Sequence, residues 1–366
     1  MNSINTIDIE SYHKKGLNLI ILEDLVNISE VNLPWEKLRK KSVLITGGSG
    51  FLASYIVQSL LVISQIYDLN IKIKCIVRNI QSSRERFRAW DGAENFEIYN
   101  QDISLPLRDD FPLADFIIHC ASQASPKYYG VDPVGTLKAN SVGTMHLLDH
   151  AVKNKAEKFL FFSSGEVYGA PVDASQLIGE GDFGRVDSMN VRSCYAESKR
   201  IGETMCVSWA KQYGINVSVV RPFHTYGPGM SLDDGRVFSD FVGDVLAGRD
   251  IALRSDGTSL RPFCYVADAT AGFLTVLLKG EQSEAYNIGN PYSEISIRGL
   301  AELLTKLFPD KKISTRFVSR ESSSSYINSL ISRASPNISK VKNLGWKPAV
   351  NLEDGFRRTI LSFQNG

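Results

Sequence analysis

Short apolar runs alternate with longer helical patterns along the first two thirds of this chain. Between Ser42 and Pro222 the runs are SVLIT, IKCIV, FEIY, DFIIHCAS, KFLFFSS and NVSVVRP. Parallel neighbouring strands need a long crossover connection, which is usually a helix. The alternation therefore predicts βαβ units and an α/β fold, a doubly wound parallel sheet with helices on both faces.

The pattern changes after Arg221. Gly- and Pro-marked loops (TYGPGM, SDGTSLRPF and NIGNPYS) and shorter helical patterns follow, which is typical of a smaller lobe closing over a substrate. We predict three parts: an N-terminal extension (1–41), a nucleotide-binding domain (42–222) and a mainly substrate-binding C-terminal lobe (223–366), partly interleaved with the second.

Two shorter segments carry their own predictions. Residues 17–31 (LNLIILEDLVNISEV) alternate apolar stretches with acids, so we expect a strand or helix packed on the domain or on a partner subunit. Residues 322–326 (SSSSY) form a polar run, which predicts an exposed connection.

Composition narrows the possible partners and compartment. Lys and Arg number 41 against 40 Asp and Glu, without a block of like charge, which argues against a nucleic-acid or membrane-surface protein. The five cysteines form no C-x-x-C pair, so we expect reduced thiols and no metal site. We see neither a signal peptide nor an apolar run that could span a membrane, and predict a soluble, cytoplasmic protein.

A glycine-rich turn directly follows the first predicted strand. Gly47, Gly50 and Ala53 stand at G-x-x-G-x-x-A spacing at the start of a predicted helix. Such glycines allow a tight turn and a close approach of the backbone to a pyrophosphate, which the helix N-terminus favours. This context predicts a Rossmann-type site for NAD or NADP. The cofactor contacts that we predict are Gly47, Gly50, Phe51, Leu52, Arg78, Asn79, Asp102, Ile103, Ala121 and Lys199.

The second predicted strand ends in CIVRN, with Arg78 and Asn79 where an NAD enzyme usually offers an acid to the ribose. An arginine there can receive a 2′-phosphate, with Ser82, Ser83 and Arg84 as helpers, which favours NADP. The alternative is that Arg78 is solvated or stacks on the adenine, which leaves NAD open.

Tyr195 and Lys199 form a Y-x-x-x-K pair in SCYAESK. At this spacing both side chains occupy one face of a helix. We expect the ammonium to lower the pKa of the phenol, so that Tyr195 can take a proton from a sugar hydroxyl while hydride leaves the same carbon. Ser164, after the fifth predicted strand, can orient the substrate oxygen.

A series of segments in the expected order carries a family resemblance from Ser42 to Phe363: TGGSGFLA, HCASQASPKYY, DPVGTLKANSVGT, FSSGEVYG, RSCYAESKRIGETM, RPFHTYGPGM, DDGRVFSDF, LRPFCYVAD, YNIGNP and NLGWKP. The chain resembles the extended short-chain dehydrogenases that modify nucleotide sugars, particularly the UDP-glucuronate decarboxylases and dTDP-glucose 4,6-dehydratases. The resemblance implies a nucleotide diphosphate sugar as substrate. It implies a catalytic set of Ser164, Tyr195, Lys199 and Glu166, and substrate contacts from Ser122, His224, Arg236, Arg261 and Arg333.

Two departures limit how far the reaction can be named. Gly165 stands where the resembling dehydratases have Asp and the decarboxylases have Ser, and His224 replaces the more usual Asn. His224 could be structural or could transfer a proton. Our leading hypothesis is C4 oxidation of a nucleotide-linked hexose or hexuronate, followed by chemistry of the 4-keto intermediate. The alternatives are a C4 reductase, dehydrogenase or 4-epimerase, and, more remotely, a non-catalytic nucleotide sensor.

The resemblance also implies a homodimer. We expect the helix that carries Tyr195 and Lys199, with a preceding long helix over residues 136–153, to pack on its twofold mate. Ile201, Met205 and Trp209 could form this seam or belong to the core of one chain.

Overall fold

The computed structural model describes residues 9–171, 173–318 and 333–364. Its strands are β1 Ser42–Thr46, β2 Lys72–Val77, β3 Phe96–Asn100, β4 Phe116–His119, β5 Lys158–Phe162, β6 Val217–Pro222, β7 Thr225–Tyr226, β8 Ile251–Leu253, β9 Leu260–Pro262, β10 Cys264–Tyr265, β11 Glu284–Ile288, β12 Glu294–Ser296 and β13 Thr315–Phe317. The predicted run at residues 322–326 lies outside the described residues.

The helices are α1 Ile9–Lys14, α2 Leu19–Ser29, α3 Phe51–Ile66, α4 Ile80–Arg86, α5 Lys127–Val131, α6 Pro133–Asn140, α7 Val142–Lys153, α8 Cys194–Tyr213, α9 Val237–Ala247, α10 Val266–Lys279, α11 Ile297–Leu307, α12 Ser339–Asn343 and α13 Leu352–Gln364. The single helix expected over residues 136–153 is wrong, because α6 ends at Asn140 and α7 begins at Val142. In the described part of the chain, no helix is long and apolar enough to cross a membrane.

A seven-stranded sheet of order β11-β6-β5-β4-β1-β2-β3 forms the centre of the molecule. All its strand pairs are parallel, which confirms the predicted Rossmann-type α/β fold. In the sheet, β2 pairs with one edge of β1, and β4, which comes later in the chain, pairs with the other edge. Ligands of such sheets bind at this switch point, outside the carboxyl ends of the strands.

The seventh strand is a finding that the sequence analysis did not predict. β11 pairs with β6, with Ala285 opposite Val219, so part of the C-terminal half completes the central sheet. The segment NIGNPYS, predicted as a loop, begins inside this strand with Asn287 and Ile288. Both residues are fully buried. A search for apolar runs does not find this strand, because it is short and contains Glu and Asn among its apolar residues.

Helices cover both faces of the sheet. On one face α3 and α10 pack together, and α7 and α8 lie on the other. The side chains of α3 and α10 are buried almost all round, as expected of helices enclosed between a sheet and a further layer. On α8 the buried residues include Tyr195 and Lys199, so the predicted catalytic face is turned toward the protein interior.

The N-terminal segment supplies that further layer over α3 and α10. Its helix α2 buries Leu22 and Leu25, as the amphipathic pattern predicted. Asp24 is also buried, and its carboxylate accepts hydrogen bonds from Tyr265 at 2.7 Å and Arg358 at 2.8 Å. Burial raises the pKa of Asp24 to about 6 despite these donors. The N-terminal segment is thus joined to the C-terminal helix α13 by a buried polar contact.

Candidate active site

The turn after β1 brings two strand ends into contact. Gly47 has a φ of +64°, a left-handed conformation that glycine adopts at no steric cost. A Cβ on Gly47 would lie 2.7 Å from the Cα of Ala121, so the loops after β1 and β4 can approach this closely only because residue 47 is glycine.

The N-terminus of α3 has no side-chain cap. Gly50 is the N-cap residue, and the N–H of Ser54 donates to the Gly50 carbonyl at 2.8 Å as the first bond of the helix. The N–H groups of the preceding turn, including those of Phe51 and Leu52, have no partner within the helix. This arrangement fits a dinucleotide pyrophosphate, which would take their hydrogen bonds and face the positive end of the helix dipole.

The end of β2 presents a cation to solvent. Arg78 is exposed, whereas the Asn79 side chain caps α4 by accepting from the Ser82 N–H at 3.1 Å. The hydroxyl of Ser83 is buried and donates to the Asn79 carbonyl at 2.6 Å, so the prediction that Ser83 helps to hold a phosphate is wrong. Arg84 is exposed, one turn of helix away.

The remaining predicted cofactor residues differ in how they are engaged. Asp102 closes a turn by accepting from the N–H and hydroxyl of Ser104 at 2.9 and 2.7 Å. Ile103 is 5% exposed and lies against Gly143. Ser122, a predicted substrate contact that follows Ala121, has a buried hydroxyl with no hydrogen-bond partner among the described residues. Because burying an unpaired hydroxyl costs free energy, a ligand atom at Ser122 would be stabilising.

The predicted triad does come together at the carboxyl end of β5. Lys199 is 2% exposed, and its Nζ donates to the Phe162 carbonyl at 2.6 Å. The same Nζ lies 5.8 Å from the ring centre of Tyr195. The hydroxyl of Ser164, two residues beyond Phe162, accepts from the Glu166 N–H at 3.1 Å and is near enough to Tyr195 to lower the pKa of the phenol.

The expected lowering of the Tyr195 pKa by Lys199 is wrong for this structure. Burial raises the pKa of Tyr195 to about 12, and the charge of Glu166 adds to the increase, while the Ser164 hydroxyl, Arg236 and Arg192 oppose it. Burial also lowers the pKa of Lys199 to about 7. Desolvation is therefore the largest influence on both groups, and each pKa moves toward the neutral form.

An arginine that the sequence analysis did not assign completes the surroundings of Tyr195. The Arg192 guanidinium binds both carboxylate oxygens of Glu166, at 2.9 and 3.3 Å. It also lies 5.0 Å from the ring centre of Tyr129, and that ring stacks on Tyr195 at 5.1 Å. A carboxylate and a guanidinium thus stand beside the tyrosine, in addition to the groups that hydride transfer at C4 requires.

The predicted substrate side of the site is basic. Arg236 donates to Asp234 at 2.6 Å and to the Ala124 carbonyl at 3.0 Å, and Arg261 donates to the Leu260 carbonyl at 2.7 Å. Burial and the charges of Arg261 and Arg236 lower the pKa of His224 to about 3. The imidazole is consequently neutral at physiological pH.

His224 has an uncommon backbone conformation, with a φ of +20°. Asn and His both enter positive φ more readily than most residues, which explains why His can occupy a position where Asn is usual. The ring is in edge contact with Phe263, 6.1 Å between ring centres. The backbone conformation and the contact with Phe263 hold the imidazole near Arg236 and Arg261.

Arg333 serves a different purpose in this structure. Its Nε lies 2.9 and 3.0 Å from the two carboxylate oxygens of Glu294, and its Nη1 donates to the carbonyls of Ala174 and Ser175. These contacts attach the loop after β5 to the C-terminal part of the chain. The structure does not bring Arg333 to the triad, and its predicted contact with substrate stays a prediction.

Gly165 lies between two predicted catalytic residues, Ser164 and Glu166. A Cβ at residue 165 would lie 2.9–3.0 Å from three ring atoms of Phe223. Phe223 is 2% exposed and directly precedes His224. The departure from Asp or Ser at this position therefore matches the close packing of an aromatic ring on the loop.

Comparisons with known proteins agree with this arrangement. The profile of the NAD dependent epimerase/dehydratase family matches residues 43–289. UDP-glucuronic acid decarboxylase 6 of Arabidopsis thaliana is 37% identical over 317 residues, which is 86% of this chain and 86% of that protein. UDP-glucuronic acid decarboxylase 1 of Xenopus tropicalis is 38% identical over 332 residues, or 90% of this chain and 73% of that protein.

Solved structures share the fold at lower identity. UDP-glucuronic acid 4-epimerase of Bacillus cereus, in complex with UDP-glucuronic acid and NAD, superposes with a TM-score of 0.75 at 24% identity, covering 88% of this chain and 99% of that one. A dTDP-glucose 4,6-dehydratase of Streptomyces venezuelae with NAD bound gives 0.74 at 25% identity, over 88% and 97%. From the profile match and the curated relatives, the chain is an enzyme of the NAD-dependent epimerase/dehydratase family.

Proposed function

We propose that this enzyme decarboxylates UDP-glucuronate through a 4-keto intermediate, with a bound nicotinamide dinucleotide. The observation that carries the proposal is the Glu166–Arg192 pair beside Tyr195. Simple hydride transfer at C4 needs Ser164, Tyr195 and Lys199 only, whereas chemistry at C5 and C6 needs a further acid or base and a cation for the carboxylate. The two curated relatives described above carry the name of this activity.

The first step is oxidation at C4. When bound, the oxidised nicotinamide supplies the hydride acceptor. Tyr195 takes the proton of the C4 hydroxyl, and the nearby Ser164 hydroxyl, which lowers the pKa of the phenol, orients the substrate oxygen. Because burial keeps the phenol mostly protonated at neutral pH, the cations that lower its pKa, Arg236 and Arg192, assist its ionisation.

The second step is loss of the carboxylate. A ketone at C4 is β to the C6 carboxylate, so cleavage of the C5–C6 bond sends its electron pair into an enolate with the charge on O4, and CO2 leaves. Protonated Tyr195 donates to that oxygen. Arg192 binds the substrate carboxylate before cleavage, and Glu166 is the acid–base group for the proton that C5 then receives. Tyr195 gives its proton to O4 as the C4 ketone is reduced again, so the complete cycle involves no net oxidation.

Glu166→Gln tests this division of roles, because it keeps the shape of the side chain and removes its charge. We expect the variant to oxidise C4, seen as a rise in the absorbance of reduced nicotinamide when UDP-glucuronate is added. It should form the decarboxylated product at least 10²-fold more slowly than wild type. Glu197→Gln, on α8 between Tyr195 and Lys199, is the matched control, since the Glu197 carboxylate pairs with Arg200 at 3.6 Å. Normal decarboxylation by Glu166→Gln would refute the assigned role.

For the cofactor, we propose that Arg78 favours NADP over NAD. The support is an exposed guanidinium at the end of β2 in place of an acid, with Ser82 and Arg84 exposed nearby. A 2′-phosphate would gain charge-assisted hydrogen bonds there. Titration of the purified chain with each dinucleotide measures the preference directly.

We further propose that the enzyme is a homodimer joined through α6 and α8. These helices pack side by side, and their exposed apolar residues include Val134, Leu137, Ile201 and Val207, at 39–58% exposure. Met205 and Trp209 instead pack partly into the core of the chain. Light scattering at micromolar concentration should give the mass of two chains, and a monomer would refute this proposal.

A further inference from the structure

A largely buried ion pair connects α8, the helix that carries Lys199, to β6. Arg221, at the end of β6, binds both carboxylate oxygens of Glu203 on α8, at 2.9 and 2.6 Å. The two side chains are 10% and 16% exposed. A bidentate pair with this little exposure is held in one geometry.

Other groups fix the pair from several elements. The hydroxyl of Ser163, next to Ser164, donates to the Glu203 carboxylate. Arg221 also donates to the Tyr168 hydroxyl at 2.8 Å and to the Glu180 carbonyl at 3.0 Å. The carboxylate of Glu203 therefore has three donors, from β6 and from the loop after β5, and little freedom to turn away.

Glu203 follows Lys199 by four residues on α8, so the two side chains lie on one face of the helix. Burial drives the pKa of Lys199 down, and the charge of Glu203 acts in the opposite direction. Glu203 is thus placed to keep the ammonium charged in surroundings that disfavour charge.

Other groups face Lys199 from β4, β5 and its own helix. Cys120 follows β4, Cys206 lies on α8, and burial raises the pKa of both thiols, so both are neutral at physiological pH. His119 on β4 is neutral too, because burial lowers its pKa to about 3. The Phe161 ring of β5 lies 5.1 Å from Nζ, and Tyr195 is the remaining titratable neighbour. None of these groups carries a negative charge at physiological pH, so the negative charge near Lys199 comes from Glu203.

We propose that Glu203 is a positioning residue for the oxidoreductive steps: its carboxylate, fixed by Arg221 and Ser163, acts through its charge to keep the Lys199 amine protonated. The inference rests on the proposed function in that Lys199 takes part in catalysis. The competing interpretation is that the pair only joins α8 to β6 and contributes to stability.

Glu203→Gln distinguishes the two interpretations. In full-length protein labelled with carbon-13 lysine, the Lys199 Cε resonance, assigned with Lys199→Arg, reports its protonation without any substrate. We expect its titration midpoint to move to lower pH by about one unit, a tenfold smaller ratio of charged to neutral amine. The alkaline limb of the kcat/KM profile should move in the same direction.

Two further variants separate charge from packing. Glu203→Gln combined with Arg221→Gln removes the unpaired guanidinium that could destabilise the single variant. Its Lys199 midpoint should also lie below that of wild type, by less than in Glu203→Gln, because the positive charge of Arg221 is lost as well. Glu203→Asp keeps the charge and should restore most of the wild-type midpoint. Asp244→Asn on α9 removes the charge that pairs with Arg249 at 3.0 Å, and it should leave the titration unchanged.

A Lys199 midpoint within a few tenths of wild type in both Gln variants, with kcat/KM lowered equally at all pH values, would overturn the proposal. Failure of wild type to decarboxylate UDP-glucuronate would instead refute the proposed function. The two failures are distinguishable, because the resonance is measured without substrate.

Discussion

Gly165→Ala is the substitution for which the structure gives the clearest steric expectation. The new methyl group would lie 2.9–3.0 Å from three atoms of the Phe223 ring, against about 3.5–4.0 Å for a normal contact between carbon atoms. The ring or the loop must therefore move by about half an ångström or more. Phe223 has little room to do so, because the Gly289 backbone and the Tyr168 ring, at 6.0 Å between ring centres, lie beside it.

Extra volume in a packed core typically costs about 1–3 kcal/mol, and we expect a loss of this size in the free energy of unfolding. The measurement is urea unfolding of both proteins, followed by fluorescence, with the slope of the transition checked for equality. Because residue 165 separates Ser164 from Glu166, we also expect kcat to fall by about tenfold or more, since small displacements of positioned groups reduce rates strongly.

Gly181→Ala is the matched control. Gly181 lies in the same connection between β5 and α8. Within the described part of the chain, no heavy atom beyond its two chain neighbours lies within 4 Å of the added methyl group. Its stability should stay within about 0.5 kcal/mol of wild type. If Gly165→Ala proves as stable as Gly181→Ala and equally active, the packing explanation for glycine at this position is incorrect.

Three further substitutions test individual site assignments. Gly50→Val should abolish dinucleotide binding, because the side chain would intrude where the backbone approaches the pyrophosphate; unchanged affinity in a folded variant, by calorimetry, would contradict this. Tyr195→Phe should lower kcat by about 10²–10⁴-fold with nearly unchanged dinucleotide affinity, and activity within twofold of wild type would exclude the tyrosine as base. Arg78→Asp should shift the ratio of NADP to NAD affinity toward NAD; a wild-type enzyme that already strongly prefers NAD would show that Arg78 does not read the 2′-phosphate.

The sequence predicts most of the central sheet because its strands are long apolar runs. The predicted SVLIT is β1 itself, and each of the other five runs contains or closely overlaps a strand. β11 is not found as an apolar run, because its residue Asn287 is polar although it is buried. Its side chain accepts from the Tyr168 hydroxyl at 2.6 Å and donates to the Ile178 carbonyl at 2.9 Å. Such partners lie far away in sequence, so local pattern cannot anticipate them.

In the candidate site, too, local sequence pattern predicts some features, whereas others depend on residues that are distant in sequence. Tyr195 and Lys199 could be paired from spacing alone, because a helix fixes their relation. The Glu166–Arg192 pair joins residues 26 positions apart across an irregular loop, and no periodicity connects them. The pKa values depend on burial, which raises that of Tyr195 and lowers that of Lys199, although spacing alone favoured the opposite direction for the tyrosine.

The most direct test of the central claim is mass spectrometry and proton NMR of the product that the wild-type enzyme forms from UDP-glucuronate in deuterated water. The proposal predicts a UDP-pentose that has lost CO2 and carries one deuterium at C5, with the nicotinamide unchanged at the end of the reaction. A product of unchanged composition would indicate a 4-epimerase, and a released ketone with reduced nicotinamide would indicate a dehydrogenase. Either result would contradict decarboxylation through Glu166 and Arg192.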